Sequence, residues 1–379
     1  MPPEAVRELA LSVTPPAYVY DLAGLRAHAA AIRAAVPAEL FYAAKANPDA
    51  RILTALAPYV DGIEVSSGGE LAYVREVLPQ ARVAFGGPGK TEAELGTAVD
   101  RVHVESPLEL RRLAALRREA DVLLRVNLPV AAAGAALRMS GPFGMDAEAL
   151  GSCLDLLADT PWLRLRGMHA HLASGLEAGP LLEVAAQVLG WARSWAGALD
   201  HPPEFNVGGG MAVDYRDPER RFDWAVYGAG LASLRRPGEV LRIEPGRAVT
   251  AYCGWYVTEV LDVKRTHGAW YAVLRGGTHH LRTPVAKGHD QPFTVLPVGD
   301  GPGVGGPVTL VGQLCTPKDV LARQVPVERI AVGDVVAFAM AGAYAWNISH
   351  HDFLMHPAPA FHYVGGDGGA TTAPWTSDS

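Results

Sequence analysis

The amino-acid sequence predicts an α/β fold: a closed (β/α)8 TIM barrel of parallel strands with a second, β-rich domain attached. Three observations predict it. Apolar, strand-like runs recur eight times between residues 40 and 244, helix-like segments separate them, and after about residue 252 short β-rich runs punctuated by proline and glycine take over. An open doubly wound sheet is the alternative that the same alternation allows.

Taken in order, Pro15-Pro16-Ala17-Tyr18-Val19-Tyr20-Asp21 reads as a short strand entering a helix over 22–36, with Asp21 as its N-cap. The eight strand-like runs follow at 40–44, 62–66, 82–86, 101–105, 121–127, 163–172, 204–208 and 240–244. Helix-like segments lie at 51–58, 69–78, 107–120, 146–158, 176–198 and 224–234. The later β runs are 254–264, 270–274, 308–311, 335–339 and 362–364, and the strand near 17–20 is placed with them. This gives a barrel domain over 22–252 and a β domain built from 1–21 and 253–364. The last residues, 365–379, are rich in Gly, Ala, Thr and Ser and read as a disordered tail.

Size and composition narrow the function. A chain of 379 residues buries more than one core, and its net charge of −7 without a concentrated Lys/Arg run argues against nucleic acid as a partner. Cys153, Cys253 and Cys315 are too few and too scattered for a disulfide framework or a thiolate metal cage. There is no basic-then-apolar leader and no apolar run of the roughly 20 residues that cross a bilayer. The expectation is a cytoplasmic protein with no membrane partner.

In a barrel of this kind chemistry sits at the carboxyl ends of the strands. Lys45 follows the first strand, and Pro48 ends the ladder just beyond it. Partial burial there is expected to lower the lysine pKa and free the amine as a nucleophile. Glu64, Ser66 and Ser67 end the second strand, His169 and His171 the sixth, Gly208, Gly209 and Gly210 follow the seventh, and Glu244-Pro245-Gly246-Arg247 follows the eighth. A metal reading of His169-Ala170-His171 lacks an obvious third ligand of matching spacing, so no metal is expected. An ion pair between Glu244 and a neighbouring arginine is the structural alternative for that acid.

This constellation resembles the fold-type III pyridoxal-phosphate (PLP) decarboxylases of ornithine, arginine and diaminopimelate. The resemblance runs from Tyr18 to about Val364 and includes Gly312-Gln313-Leu314-Cys315-Thr316-Pro317-Lys318-Asp319 and Ala341-Gly342-Ala343-Tyr344. It implies pyridoxal 5'-phosphate as cofactor, held covalently by Lys45. Gly208, Gly209 and Gly210 would cradle the phosphate, with Ser174, Gly246, Arg247 and Tyr344 around it. His171 would stack on the ring, and Glu64 would reach toward the ring or that histidine. Glu244 would hold the pyridine nitrogen protonated, where the similar alanine racemases place an arginine; the acid favours decarboxylation. Cys315 resembles the cysteine that returns a proton to the α-carbon across a homodimer interface, so catalysis is implied for Lys45, His171 and Cys315 together.

The chain departs from the free-amino-acid enzymes where they carry an acid just after the cysteine. Thr316 stands there, and Arg275-Gly276-Gly277-Thr278-His279-His280-Leu281-Arg282, followed by Lys287 and His289, is basic and rich in donors. Asn347, Ser349, His350 and His351 continue that character, although Asp352 is close. Thr-His-His-Leu-Arg and Ser-His-His-Asp-Phe resemble the siderophore-biosynthesis branch, which decarboxylates a citrate-conjugated amino acid. The implied substrate is anionic at its far end, with His280, Arg282, Thr316 and His350 as contacts. A decarboxylase of free diaminopimelate, ornithine or arginine, and a non-catalytic PLP-binding regulatory protein, are the alternatives.

Overall fold

The computed structural model describes residues 1–379 except 131, 133, 140, 197–198, 283–288, 367–370 and 373–379. The first strand, β1 (Ala17–Asp21), leads into the helix Leu22–Ala35, whose N-terminus is capped by the Asp21 carboxylate accepting from the Gly24 N–H at 2.8 Å. The barrel follows. Its strands are β2 (Glu39–Ala43), β3 (Gly62–Val65), β4 (Val83–Phe85), β5 (Arg101–Val104) and β6 (Ala120–Arg125), which are succeeded by the short β7 (Leu137–Arg138) outside it. Then come β8 (Leu163–His169), the short β9 (Ala173–Ser174) paired with β7, β10 (Glu204–Asn206) and β11 (Val240–Ile243).

All barrel pairings are parallel, and β8 against β10 and β11 against β2 close the ring. Eight expected strands are eight observed ones. Helices cover the outer face while side chains fill the inner one, so residues such as Phe41, Val65, Val104, Leu124 and Phe205 are buried in near-continuous apolar runs. Ser67 and Ser106 cap the helices Gly68–Val77 and Pro107–Ala115, which keeps the turns at the strand ends short.

The barrel floor, at the amino ends of the strands, is charged and paired. Arg101 donates to Glu204 at 2.7 Å and to Asp121 at 3.0 Å, and the fully buried Arg242 donates through Nε to Glu39 at 2.9 Å. Arg242 thus spends its charge on Glu39 and Glu204, at the opposite end of the barrel from Glu244.

The second unit is a nine-stranded sheet. It contains β1 and β12 (Gly254–Thr266), β13 (Ala269–Leu274), β14 (Phe293–Leu296), β15 (Val304–Val311), β16 (Val320–Ile330), β17 (Val335–Phe338), β18 (Ala360–Val364) and β19 (Thr371–Thr372). The N-terminal strand joins it as expected, antiparallel to β12 and parallel to β18. Four elements differ from expectation. The helix Glu4–Ser12 buries Val6 and Ala10 against this sheet. Strands β14 and β16 are half-exposed, and β16 carries Gln324 at φ 47°, which breaks the period that marks a strand. Thr371–Thr372 pairs antiparallel with Ala360 and Phe361, so the expected disordered tail contains a strand; its other residues from 367 onward lie outside those described. No helix among the described residues is long and apolar enough to cross a membrane.

Two adjacent histidines make this unit acid-sensitive. His279 and His280 are fully buried. Burial, then His356 and its neighbours, pushes His279 down to about 4; burial, then His279, pushes His280 down to about 3. Both folded values lie below the unfolded value of about 6.5, so the unfolded chain binds more protons between them. The contribution of these two histidines to stability is therefore complete above about pH 6.5 and is lost as pH falls, by at most about 1.4 kcal/mol per pH unit per histidine. Melting temperatures taken from pH 7 to pH 5 are expected to fall, and to fall less steeply in His279→Leu; parallel curves would refute the assignment.

Candidate active site

Seven of the eight barrel strands, or the turns just after them, converge on one cavity of about 420 Å³ at their carboxyl ends. Lys45 stands in the single turn Ala44–Ala46 directly after β2. The sheet domain clamps that turn: Asn347 Nδ2 donates to the Lys45 carbonyl at 2.8 Å and the Tyr344 N–H to the Ala46 carbonyl at 2.7 Å. The Lys45 side chain remains 47% exposed while Glu64, its partner, is 5% exposed, so the amine sits at the cavity mouth above a buried acid. Nζ donates to Glu64 Oε2 at 2.8 Å and reaches Ser66 Oγ at 3.5 Å; Ser66 in turn donates to Glu64 Oε1 at 2.9 Å.

That pairing corrects one expectation. Burial does depress the Lys45 pKa, but Glu64, Tyr344 and Glu244 outweigh it and the net shift is upward. The protein alone holds an ammonium, and Glu64 is the base within reach of its proton.

On the far wall, the Gly209 N–H donates to His171 Nδ1 at 3.1 Å, which places the ring proton on Nε2. Burial, then Lys45 and Arg125, pushes His171 down to about 3, so the ring is neutral and offers an uncharged face. The glycines serve close packing. Gly208 and Gly210 have φ of 70° and 104°, and a Cβ on Gly209 or Gly210 would stand 2.4 Å from the Glu244 or Ala173 carbonyl oxygen. Gly208 is itself a correction: it does not line the cavity, because its N–H is used by Asn206 at 2.9 Å and its carbonyl by the Glu244 N–H at 2.8 Å.

Gly209, Gly210, Ser174, Gly246, Arg247 and Tyr344 do line it. Arg247 donates to Tyr215 Oη at 2.9 Å and lies 4.4 Å above the Tyr344 ring, so its guanidinium is fixed between two phenols. Glu244 forms the floor, buried, accepting from Asn206 Nδ2 at 2.6 Å. An exposed amine at the mouth, a fixed guanidinium beside close-packed glycines and a buried carboxylate fit an aldehyde, a phosphate and a basic ring nitrogen.

Besides Gly208, the structure separates five expected residues from this cavity: His280, Arg282, His350, Thr316 and Cys315. His280 has both ring nitrogens occupied, by Tyr256 Oη at 2.9 Å and the Pro357 carbonyl at 3.0 Å, so none is left for substrate. Arg282 and His350 are exposed, and Thr316 is half-buried beside the exposed Cys315. Lys287 lies outside the described residues. Sequence reading gave no role to Ser66, Asn206, His103 and Arg125. Arg125 ends β6, lines the cavity and donates to the buried Glu105 at 2.7 Å. His103 joins His169 and Glu244 in a group whose ligand atoms lie within 4.8 Å of one another; His171 is not part of it, so the group draws one residue from each of three strands and does not use the His-x-His pair. Strand parity was the available signal: His103 shares a face with Arg101 and Glu105.

Fold and site together define a barrel enzyme that works through a carbonyl-bearing, phosphorylated cofactor. Residues 22–251 match the family described as pyridoxal-dependent decarboxylase, pyridoxal binding domain. A Staphylococcus aureus protein, 2-[(L-alanin-3-ylcarbamoyl)methyl]-2-hydroxybutanedioate decarboxylase, is 41% identical over 373 residues, spanning 92% of this chain and 93% of its own length. Diaminopimelate decarboxylase of Actinosynnema pretiosum is 34% identical, spanning 89% and 81%. Diaminopimelate decarboxylase from Helicobacter pylori, solved with L-lysine, shares the fold with a TM-score of 0.85 at 23% identity over 94% of this chain and 93% of that one. The chain belongs to the pyridoxal-dependent decarboxylases, and its cofactor is pyridoxal 5'-phosphate.

Proposed function

We propose that this decarboxylase acts on an α-amino acid whose far end is a citrate-like polycarboxylate, a siderophore precursor, as a cytoplasmic homodimer with shared active sites. The observation that carries the substrate reading is the character of the surface near Cys315: among the described residues the nearby acid Asp319 is turned inward, the exposed Arg282 and His350 are basic, and Asp352 is the exposed acid that stands against them. Three segments are knitted there: the Thr278 and Leu314 N–H groups donate to Asp319 at 2.7 and 2.8 Å, and the Arg282 N–H donates to Ser349 at 3.2 Å. Asp319 is buried and spent on backbone donors, whereas Arg282 and His350 are exposed. A distal ammonium gains little from that surface; carboxylates gain charge-assisted hydrogen bonds. The name of the staphylococcal relative spells out an alanine head joined through a carbamoyl group to 2-hydroxybutanedioate, which carries two carboxylates at the far end.

Bound pyridoxal phosphate supplies the carbonyl and the electron-accepting ring. The chain supplies the rest: Nζ of Lys45 for attachment, His171 as a neutral ring face, Arg247 with Ser174 and the glycines for the phosphate, and Glu244 for the ring nitrogen. Cys315 Sγ returns a proton to the α-carbon. It is exposed and lies outside the residues lining its own chain's cavity, which supports action on the partner's site. With 22–252 as the cofactor domain, 1–21 and 253–364 then present Cys315, Thr316, Arg282 and His350 across the interface.

Carbon dioxide release from citryl-diaminopropionate, diaminopimelate and ornithine tests this. The conjugate is expected to be favoured by about 100-fold or more in kcat/KM, and Arg282→Ala to cost about 10- to 100-fold, mainly through KM. Faster turnover of diaminopimelate or ornithine would overturn the substrate assignment.

A further inference from the structure

Two histidines that the roles assigned above do not use lie at the cavity floor: His169, which lines the cavity, and His103, which does not. His103 on β5 and His169 on β8 are buried, with rings stacked at 4.2 Å and 25° between their planes. Their Nε2 atoms lie 3.7 and 3.3 Å from the two oxygens of Glu244, and none of their four ring nitrogens is hydrogen-bonded among the described residues. Buried, unsatisfied polar atoms are costly, and side chains at this level of a barrel are usually branched and apolar. Here His169 at the cavity wall, with His103 and Asn206 beside it, forms a polar layer above the ion pairs of Arg242 and Arg101.

We propose that His103 and His169 are positioning residues for Glu244: two neutral N–H donors that, with Asn206, complete a three-donor cradle and aim the remaining carboxylate lone pair at the cofactor's ring nitrogen. This rests on the pyridoxal phosphate reading of the cavity. An ionised carboxylate has about four acceptor sites; the Asn206 amide holds one at 2.6 Å, two face the imidazole Nε2 atoms at 3.7 and 3.3 Å, and one is left for the cavity. Neutrality of the imidazoles is essential, because an imidazolium would compete with the ring nitrogen for the same negative charge. Burial first, then neighbouring imidazoles and cations, drives both rings to the neutral form: His169 faces Arg125, His171, Lys45 and Arg242, and His103 faces His169, Arg242 and Lys90, opposed by Glu244. Fixed neutral dipoles therefore favour the carboxylate anion without offering it a proton.

The test uses the reconstituted holoenzyme. In His169→Leu and His103→Leu, affinity for pyridoxal phosphate is expected to fall about tenfold, and the acid limb of the bound cofactor's absorption is expected to move up by about one pH unit. His169→Gln, which keeps an N–H near the position of Nε2, is expected to recover most of both. In the unsubstituted holoenzyme, nitrogen-15 spectra of labelled histidine are expected to show both rings neutral and protonated at Nε2 from pH 6 to 8, a readout that does not depend on any variant folding. Leucine variants that bind and titrate like the wild type would overturn the proposal. So would a glutamine variant that melts normally yet fails as the leucine variant does, a charged or Nδ1-protonated ring, or a stoichiometric metal ion whose removal by chelator reproduces the leucine phenotype. A wild type that takes up no pyridoxal phosphate would sink the cofactor reading itself, and this inference with it.

Discussion

Lys45→Ala is expected to lower decarboxylation by about 1,000-fold or more and to let pyridoxal phosphate pass away from the protein on gel filtration, with the melting temperature close to that of the wild type. The contacts that shape the lysine's turn use its backbone, not its amine: Asn347 binds the Lys45 carbonyl and Tyr344 the Ala46 carbonyl. The turn should therefore survive the substitution. What is lost is the nitrogen at the cavity mouth and the ion pair with Glu64 at 2.8 Å. Lys45→Arg separates these two losses, since a guanidinium restores a cation opposite Glu64 but cannot serve as the attached amine. Both variants are expected to be equally inactive; activity in Lys45→Arg would show that only the charge mattered. On the proposed homodimer with shared sites, mixing Lys45→Ala with Cys315→Ala is expected to restore part of the activity, because one site of the mixed dimer would then carry both the lysine of one chain and the cysteine of the other. No recovery after subunit exchange would show that Cys315 does not act on the partner's site.

The barrel was legible because its strands are covered on both faces. Apolar runs such as Val83–Phe85, or Val122, Leu123 and Leu124, leave no polar residue to obscure them, and capping residues such as Ser67 and Ser106 mark where each strand has ended. Strand β16 was not legible, because its exposed positions carry Arg323, Gln324 and Glu328 and its period slips at Gln324. At the site, motifs located Lys45, Glu64, His171 and Glu244, but pair distances are long-range facts. Nothing local to Lys45 reveals that Glu64, 19 residues on, will sit at 2.8 Å and reverse the direction of its pKa shift. His280 was misread for a related reason. Placed in a strand, adjacent histidines would point to opposite faces, but 278–280 form a turn, and both His279 and His280 face inward. Asn206 and His103 escaped because each acts through Glu244 and neither belongs to a motif that marks chemistry.

Glu244 carries the second large effect. Its substitution by alanine is expected to reduce kcat by about 30- to 5,000-fold, the range given by the roughly 2–5 kcal/mol cost of truncating one partner of a buried, hydrogen-bonded charge pair. Alanine also strips the acceptor from Asn206 Nδ2, now at 2.6 Å, and from the neighbouring Nε2 atoms of His169 and His103, so some loss of stability is expected as well. Glu244→Gln separates shape from charge. It fills the same space and can still accept from Asn206, so melting should stay near the wild type, but its neutral amide cannot balance a protonated ring nitrogen. If charge is the function, Gln falls nearly as far in kcat as Ala while keeping its fold; if packing is the function, Gln is nearly wild type. Glu244→Arg extends the same logic, since a guanidinium has no acceptor for that ring proton and the electron sink weakens further. Single-turnover release of carbon dioxide, measured beside thermal melts, orders the three variants. Retention of full activity by Gln or Arg would remove the acid from the mechanism and leave the cavity without the group that drives decarboxylation.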